Sequence, residues 1–333
     1  MHGWLVIDKP VGPGSTDVVS KIKRALRAGQ YGRFKVGHGG TLDPLASGVL
    51  PVAIGEATKL AGRMLDATKE YAFTVRFGVQ TDTLDAEGTV VAESDVRPTL
   101  ADVEAALPRF TGPIDQVPPA YSALKVDGRR AYDRARGGEE VVLASRRVTV
   151  HSLAHLPSWE RGWGGGSNRE VEGTPHPPTG CVGGPLPLPR GERGLDEITL
   201  TAHVSKGTYI RSLARDIALA LGTVGHVTML RRTRAGGFTL DRAISLDRLA
   251  ELGHEAALEQ ALLPIEAGLD DVPALPLTPD QAGLLRQGRK LAGIAVSDGL
   301  HFATAGSVPV ALVEVASGEV RVVRGFNLQT FED

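Results

Sequence analysis

The sequence predicts an α+β fold, because it contains segments with the period of a strand and segments with the period of a helix. Apolar residues alternate with other residues at 71–77 and again at 198–204, as in half-buried strands. Residues 15–29 and the segment after Thr208 carry apolar residues every three or four positions, as amphipathic helices do. With 333 residues, the chain is long enough for a sizeable core and two domains.

The first helix is predicted over residues 15–29. Its apolar stripe repeats every four positions and consists of Val18, Ile22 and Leu26. The basic residues of the segment lie largely off this stripe. We expect Ser15 or Thr16 to cap the N-terminus of the helix and Gly29 to end it.

The second helix is predicted directly after the strand at 198–204 and the turn at 205–207. It is expected to begin near Thr208 and to bury one side, formed by Ile210, Leu213, Ile217 and Leu221. Gly222 then provides the stop signal.

Residues 158–194 interrupt this pattern. Ten glycines and six prolines occupy the 37 positions, so the segment does not bury enough apolar surface to order itself. We therefore predict a flexible insertion without a role in catalysis. Cys181 lies inside it, which argues against a catalytic thiol.

The last sixty residues have the pattern of a small β-rich unit. Pro264, Pro273 and Pro276 mark a boundary, after which 277–288 is predicted to be a short helix. Two strands follow at 308–315 and 320–323.

Composition argues against several classes of protein. No run approaches eighteen apolar residues, and the N-terminus enters an apolar strand without the basic and apolar regions of a signal peptide. We therefore predict a cytoplasmic protein that does not bind a membrane. The single cysteine excludes an intramolecular disulfide and a thiolate-rich metal site. The nine histidines show no ligand spacing, so no metal is expected.

Charge is unevenly distributed, although the net charge is only −2. Six basic residues and no acidic residue fall between positions 21 and 35: Lys21, Lys23, Arg24, Arg27, Arg33 and Lys35. Residues 241–271 are instead rich in acids. This separation predicts one basic face for a phosphate backbone, although an ordinary solvated helix would give the same local pattern.

One carboxylate lies in a segment rich in glycine and proline, 37–44, which reads GHGGTLDP. Glycine permits close approach of backbone or ligand, and Pro44 favours an extended conformation for Asp43. A stiff loop that presents Asp43 in one position is therefore predicted. The alternative is that Asp43 merely caps a short helix with Pro44 at its first position.

Five segments together identify a family. They read GWLVIDKPVGPGSTDVV, GHGGTLDPLASGVLPVAIGEATKL, KEYAFTVRFGVQTDTLDAEG, PPAYSALKVDGRRAYDRAR and SKGTYIRSLARDIALALG. In this order and spacing they resemble the bacterial tRNA pseudouridine synthase family TruB, from about Gly3 to Phe238. Gly39 and Ser47 stand where that family more often has threonine.

The resemblance implies a fold and an activity. The expected fold is a catalytic domain at 1–270, built around a long mixed, mostly antiparallel sheet, and a small PUA-like RNA-binding β-barrel at 271–333. The expected reaction isomerises the T-loop uridine (position 55 of tRNA) to pseudouridine, on a base flipped out of its stack. The implied partner is the T-arm of tRNA, without a guide RNA, and the protein is expected to be a monomer. The reaction needs no group donor and no redox change, so no cofactor is expected.

The resemblance also assigns roles to residues. It makes Asp43 the catalytic carboxylate and Arg211 its catalytic partner. It also makes Tyr71 a catalytic residue, which stacks on the target base and assists the proton transfer that completes the product. His38 and Tyr209 are expected beside the bound nucleotide. A flexible thumb at about 118–145 is expected to fold over the T-loop, with Lys125, Arg129 and Arg130 as its phosphate-binding residues.

For two further roles, the sequence leaves two possibilities each. Asp85 is expected to help order the active site, with Asp82 as the rival. Lys9 either braces the active-site loop or contacts the RNA backbone. The atom that Asp43 attacks or deprotonates is not determined by the sequence.

Two other functions remain open. One is an RNA-binding or chaperone module in which Asp43 is only a cap, and the other is a base-flipping hydrolase that releases uracil. Product formation by an Asp43 variant separates the first from an isomerase, and free uracil reveals the second.

Overall fold

The computed structural model describes residues 1–122, 124–126, 128–137, 139, 143–156 and 194–328. Apart from Gly194, the predicted insertion and its Cys181 lie outside the described residues, as do the side chains of Lys125 and Arg130. Within the described part of the chain, no helix is long and apolar enough to cross a lipid bilayer.

The described residues form both helices and strands, and most strand pairs are antiparallel, as in an α+β fold. The strands are β1 (Gly3–Lys9), β2 (Val36–His38), β3 (Ala46–Ile54), β4 (Lys69–Phe77), β5 (Val79–Thr81), β6 (Val90–Glu93), β7 (Gly112–Gln116), β8 (Lys125–Val126), β9 (Arg129–Arg130), β10 (Arg146–His155), β11 (Glu197–Val204), β12 (Gly225–Ala235), β13 (Phe238–Thr239), β14 (Ala274–Pro276), β15 (Gly299–Ala305), β16 (Val308–Ala316) and β17 (Glu319–Gly325). The α-helices are α1 (Ser15–Ala28), α2 (Ala61–Asp66), α3 (Leu100–Ala106), α4 (Ala131–Arg136), α5 (Ile210–Ala220), α6 (Leu246–His254) and α7 (Pro279–Arg286).

The chain divides into two compact units. The first consists of Met1–Tyr71 and Leu230–Asp333, and the second of Ala72–Met229.

Strand β3 organises the sheet of the first unit. It pairs antiparallel with β1 from Gly3↔Ile54 to Lys9↔Gly48. It also pairs antiparallel with β2 and parallel with β12. Because both kinds of pairing occur on one strand, the predicted mixed sheet is confirmed. Nearly all of β3 is buried, which places the connection between β2 and β3, and therefore Asp43, on a rigid base.

Helix α1 confirms the first predicted helix but not its predicted cap. Val18, Ile22 and Leu26 are buried, as their four-residue spacing predicts. The N-cap residue is Gly14, and Ser15 is already the first helical residue. The cap prediction was wrong because the Ser15 hydroxyl is engaged elsewhere, with the backbone of Leu42.

The second unit contains the strand order β4-β11-β10-β7. Strand β10 runs antiparallel to both β11 and β7. The predicted strands at 71–77 and 198–204 are confirmed as parts of β4 and β11. Helix α5 also follows the prediction, because it ends before Gly222, which has a φ of +72° that only glycine adopts readily.

The C-terminal segment forms a four-stranded sheet in the order β14-β15-β16-β17. Helix α7 falls within the predicted 277–288 and is capped by Thr278, whose hydroxyl accepts a hydrogen bond from the Gln281 amide. Among residues 271–328 a closed barrel is not found. Phe302 and Phe326 join the core that contains Trp4 and Phe238, so this segment is packed into the first unit.

Candidate active site

Asp43 lies in the loop between β2 and β3. Residues 44 and 45 form a turn in which the Ala46 amide donates to the Asp43 carbonyl at 3.1 Å, and strand β3 begins at once. No helix starts at Pro44, so the alternative that Asp43 caps a short helix is wrong. Its side chain is half-buried, between the buried Leu42 and the exposed Pro44.

Every backbone carbonyl from residue 40 to residue 44 accepts a hydrogen bond. For residues 40 to 43, in order, the donors are Arg232 Nη2 (3.3 Å), Arg232 Nη1 (3.3 Å), Ser15 Oγ (3.0 Å) and the Ala46 amide (3.1 Å). The Pro44 carbonyl accepts from both the Gly12 amide (2.8 Å) and Lys9 Nζ (3.3 Å). A loop with five consecutive carbonyls bonded has little conformational freedom, which supports the predicted stiffness.

Lys9 is fully buried at the end of β1. Its ammonium donates to the carbonyls of Pro10 at 2.9 Å, Pro13 at 2.8 Å and Pro44 at 3.3 Å. A side chain without exposed surface does not reach an RNA backbone. The burial of Lys9 therefore supports the alternative in which it braces the active-site loop.

Arg232, on β12, is almost completely buried, with 1% of its surface exposed. Its Nε donates to the Val49 carbonyl at 2.7 Å, in addition to its two bonds to the loop. Among the described residues, no carboxylate lies within ion-pair distance of Arg232. Sequence reasoning missed this residue, although strand alternation places it on the same face as the buried Leu230.

His38 is the last residue of β2, directly before the loop. Burial lowers its pKa below the ordinary 6.5, and the positive charge of Arg232 lowers the pKa further. Its Nδ1 is buried and has no hydrogen-bond partner among the described residues. Both features favour the neutral ring at physiological pH.

This lowered pKa predicts a pH dependence of stability. Because the unfolded chain binds a proton more readily than the folded one, His38 costs no stability above pH 6.5 and destabilises the fold as pH falls below it. We expect His38→Gln to lose less unfolding free energy than the wild type between pH 7 and pH 5 in urea titrations. Parallel pH profiles for the two proteins would contradict this expectation.

Tyr71 is the third residue of β4 and is half-buried. Its hydroxyl has no hydrogen-bond partner among the described residues. Its stacking role stays a prediction.

The second unit holds Arg211, the second residue of α5, with only 6% of its surface exposed. Its guanidinium donates to Asp85 Oδ2 at 2.9 Å, to the Thr83 carbonyl at 2.9 Å and to the Tyr121 carbonyl at 2.9 Å. These bonds tie α5 to the 81–88 turn and to the start of the predicted thumb. The predicted pairing of Arg211 with Asp43 stays a prediction, since the two residues lie in different units.

Asp85 and Asp82 have different surroundings. Asp85 is buried, and its Oδ1 accepts from Thr83 Oγ1 at 2.6 Å and from the Glu87 amide at 3.0 Å. Asp82 instead accepts from the amide and hydroxyl of Thr89 and closes the turn. Asp85 is therefore the acid that holds Arg211.

Tyr209 is the N-cap residue of α5. Its amide donates to Gln116 Oε1 at 2.8 Å, and its carbonyl accepts from Gln116 Nε2 at 3.1 Å. The Arg146 guanidinium lies 4.7 Å from the centre of the Tyr209 ring, a cation–π contact. Gln116 and Arg146 were not predicted from the sequence, and no local signal marks them.

The predicted thumb contains the hairpin β8–β9 and helix α4. Arg129 is 67% exposed and lies 3.4 Å from Glu139, a weak surface pair. Tyr121 and Tyr132 make an edge-to-face contact, and Arg136 lies over the Tyr132 ring.

Six basic residues on α1 and the loop that follows it are all exposed: Lys21, Lys23, Arg24, Arg27, Arg33 and Lys35. None of them forms an ion pair with an acid in the described part of the chain. They form a basic surface that ends where β2 leads into His38. We call these six residues the α1 cluster.

Comparison with known families identifies the chain's relatives. The family described as TruB family pseudouridylate synthase (N terminal domain) matches residues 23–162. The tRNA pseudouridylate synthase B C-terminal domain matches residues 211–270. The chain belongs to the TruB family. The predicted resemblance is thereby confirmed.

Individual TruB relatives match over nearly the full length. A protein of Novosphingobium aromaticivorans named tRNA pseudouridine synthase B is 60% identical over 329 residues, which covers 99% of this chain and 98% of that protein. One of the same name from Zymomonas mobilis subsp. mobilis is 50% identical over 327 residues, covering 98% and 96%.

Solved structures share the fold of this TruB family member. An H/ACA RNP bound to a substrate RNA containing 2′-deoxyuridine has a chain that is 23% identical, with a TM-score of 0.66, covering 98% of this chain and 85% of that chain. A chain of a Cbf5-Nop10-Gar1 complex is 25% identical, also with a TM-score of 0.66, covering 98% and 84%. The predicted pseudouridine synthase fold is confirmed.

Proposed function

We propose that this protein isomerises the T-loop uridine of tRNA to pseudouridine. The main support for this proposal is the Asp43 loop. Hydrogen bonds to five consecutive backbone carbonyls fix the part of the loop that bears the half-buried Asp43 carboxylate. Enzymes gain rate by holding a reacting group in position before the reaction begins. Membership of the TruB family supports the choice of reaction.

The chemistry needs only side chains. The bond between N1 of uracil and C1′ of ribose breaks, the base turns and C5 bonds to C1′. The proton on C5 is then lost and N1 takes up a proton, so the product is an isomer of the substrate. In this reaction the Asp43 carboxylate supplies the oxygen that attacks the nucleotide or abstracts a proton from it. We propose that Arg211, held by Asp85, pairs with Asp43 and keeps the flipped nucleotide in place. Tyr71 stacks on the base, with His38 and Tyr209 beside the nucleotide.

RNA binding is assigned to surfaces in both units. We propose that the α1 cluster contacts phosphates of the T-arm and that the thumb closes on the loop through Arg129, Lys125 and Arg130. The C-terminal segment, at 271–333, is assigned to the PUA-like class and adds affinity. We propose that the protein acts in the cytoplasm as a monomer. It needs no guide RNA, because the shape of the T-loop, its phosphates and base stacking supply recognition.

The direct test is an assay of products. The protein is incubated with a tRNA transcript, and pseudouridine is separated by chromatography of the nucleosides from uridine, which has the same mass. Carbodiimide treatment followed by primer extension then locates the pseudouridine in the transcript. Pseudouridine at one T-loop position, without free uracil, is expected. Free uracil would indicate a hydrolase, and tight binding without any product would indicate an RNA-binding module.

The α1 cluster makes a prediction about salt. Replacing Lys21, Arg24 and Arg27 together by glutamine is expected to reduce the slope of log Kd against log salt by about 2 to 3. Each phosphate contact releases counterions when the RNA binds, so a variant with three fewer contacts releases fewer of them. Filter binding across a salt series measures this slope.

The control removes the same amount of charge elsewhere, by replacing the exposed Arg109, Arg242 and Arg248 with glutamine. An equal reduction in both variants would show that net charge, and not the α1 cluster, determines affinity.

A further inference from the structure

Leu42, the residue directly before Asp43, is held at both of its backbone polar groups by a single hydroxyl. Ser15 Oγ donates to the Leu42 carbonyl at 3.0 Å and accepts from the Leu42 amide at 2.8 Å. Both residues are 4% exposed. The hydroxyl therefore bonds both backbone groups of the residue before the carboxylate, out of reach of competing water.

A second side chain holds the preceding two residues. The Arg232 guanidinium donates to the Gly40 and Thr41 carbonyls, both at 3.3 Å, and to the Val49 carbonyl on β3 at 2.7 Å. Its planar fork therefore ties the loop to the buried strand that follows it. Gly48 on that strand permits the close approach, because a Cβ there would lie 2.1 Å from the Arg232 carbonyl oxygen.

We propose that Ser15 and Arg232 are positioning residues for the isomerisation and that they act through the backbone of residues 40–42 on the carboxylate of Asp43. The inference rests on the proposed function and deepens it. Neither residue is assigned contact with substrate. Ser15 holds the loop from α1 and Arg232 holds it from β12, so the position of Asp43 is fixed from two elements of the first unit.

The physical reason is that catalysis requires a more precise position of the reacting carboxylate than stable folding does. A displacement of about 1 Å reduces the rate about 100-fold even where binding is unaffected. Without the Ser15 hydroxyl, the buried amide and carbonyl of Leu42 lose their partners, and the loop relaxes to satisfy them elsewhere. The rate falls while the RNA-binding surfaces stay unchanged.

The experiment compares Ser15→Ala with Ser20→Ala, in full-length protein. Ser20 is on the same helix, exposed, and its hydroxyl bonds the Thr16 carbonyl within the helix at 3.0 Å, so it controls for the loss of a serine hydroxyl. The single-turnover rate of pseudouridine formation is measured with saturating protein, Kd by filter binding, and folding by thermal unfolding. We expect Ser15→Ala to lose about 10- to 100-fold in rate, with Kd within threefold of the wild type, and Ser20→Ala to lose neither.

A second variant tests the shared mechanism. Arg232→Lys keeps the charge but loses the fork, and a similar loss of rate is expected. Because both residues act on one stretch of backbone, the double variant is expected to lose less than the product of the two single losses.

The outcomes are separable. A normal rate in Ser15→Ala overturns the proposal. So does a loss that vanishes at a temperature where the variant is fully folded, since that would be a stability effect. If the wild type itself forms no pseudouridine, the proposed function fails, and a brace for this reaction has no meaning.

Discussion

Replacing Asp43 by asparagine is expected to reduce pseudouridine formation by at least about 10²- to 10⁴-fold. The amide has the same shape as the carboxylate but carries no negative charge to attack or to take a proton. The backbone bonds that hold the loop do not involve the Asp43 side chain, so the loop itself is expected to persist. The measurement is the single-turnover rate with a tRNA transcript, beside Kd for the same RNA.

The matched control is Asp196→Asn, which removes a carboxylate that is 87% exposed. It is expected to leave rate and Kd unchanged. Retention of product formation by Asp43→Asn would remove the catalytic assignment of Asp43. An unchanged rate with weakened binding would instead place Asp43 in recognition.

Replacing Arg211 by lysine is expected to affect both stability and rate. The guanidinium makes three hydrogen bonds of 2.9 Å in different directions, and an ammonium does not reproduce that planar geometry. Asp85 would be left buried with an imperfect partner. Loss of a partner from such a buried pair costs about 3–5 kcal/mol, and the retained charge of lysine places the expected loss toward the lower end.

Urea unfolding measures the stability of this variant, and single-turnover assays measure its rate under conditions where it is folded. We expect the rate to fall about 100-fold even there, because Arg211 is proposed to hold Asp43 and the nucleotide. Arg215→Lys is the control, since Arg215 lies one turn further along α5 and is less buried. Normal turnover by folded Arg211→Lys would contradict the pairing with Asp43.

Local periodicity correctly predicted those helices and strands that have a clear pattern in the sequence. The apolar stripe of α1 and the alternation in β4 and β11 are properties of a few neighbouring residues, so they are visible in the sequence. The cap of α1 was predicted wrongly for the opposite reason. Ser15 is a good capping residue by type, but Leu42, 27 positions away, engages its hydroxyl.

The C-terminal segment also combines elements that local sequence predicts with contacts that it does not. Its helix and two of its strands, β16 and β17, followed their local patterns, whereas β14 and β15 were not predicted. Residues 271–328 form a four-stranded sheet without a closed barrel. Phe302 and Phe326 pack into the core with Trp4, which no periodicity within the segment specifies. Contacts between distant parts of the chain, and not local propensity, determine where such a sheet packs.

The sequence by itself determined the family, the α+β class and the identity of the loop that carries Asp43, because motifs and periods are local features. Only the tertiary structure decided that Asp85 rather than Asp82 holds Arg211, that Lys9 is a buried brace, and that Ser15 and Arg232 hold the loop. Each of these facts is a hydrogen bond or ion pair whose geometry depends on how the chain packs. The types of residue were visible beforehand, but their partners were not.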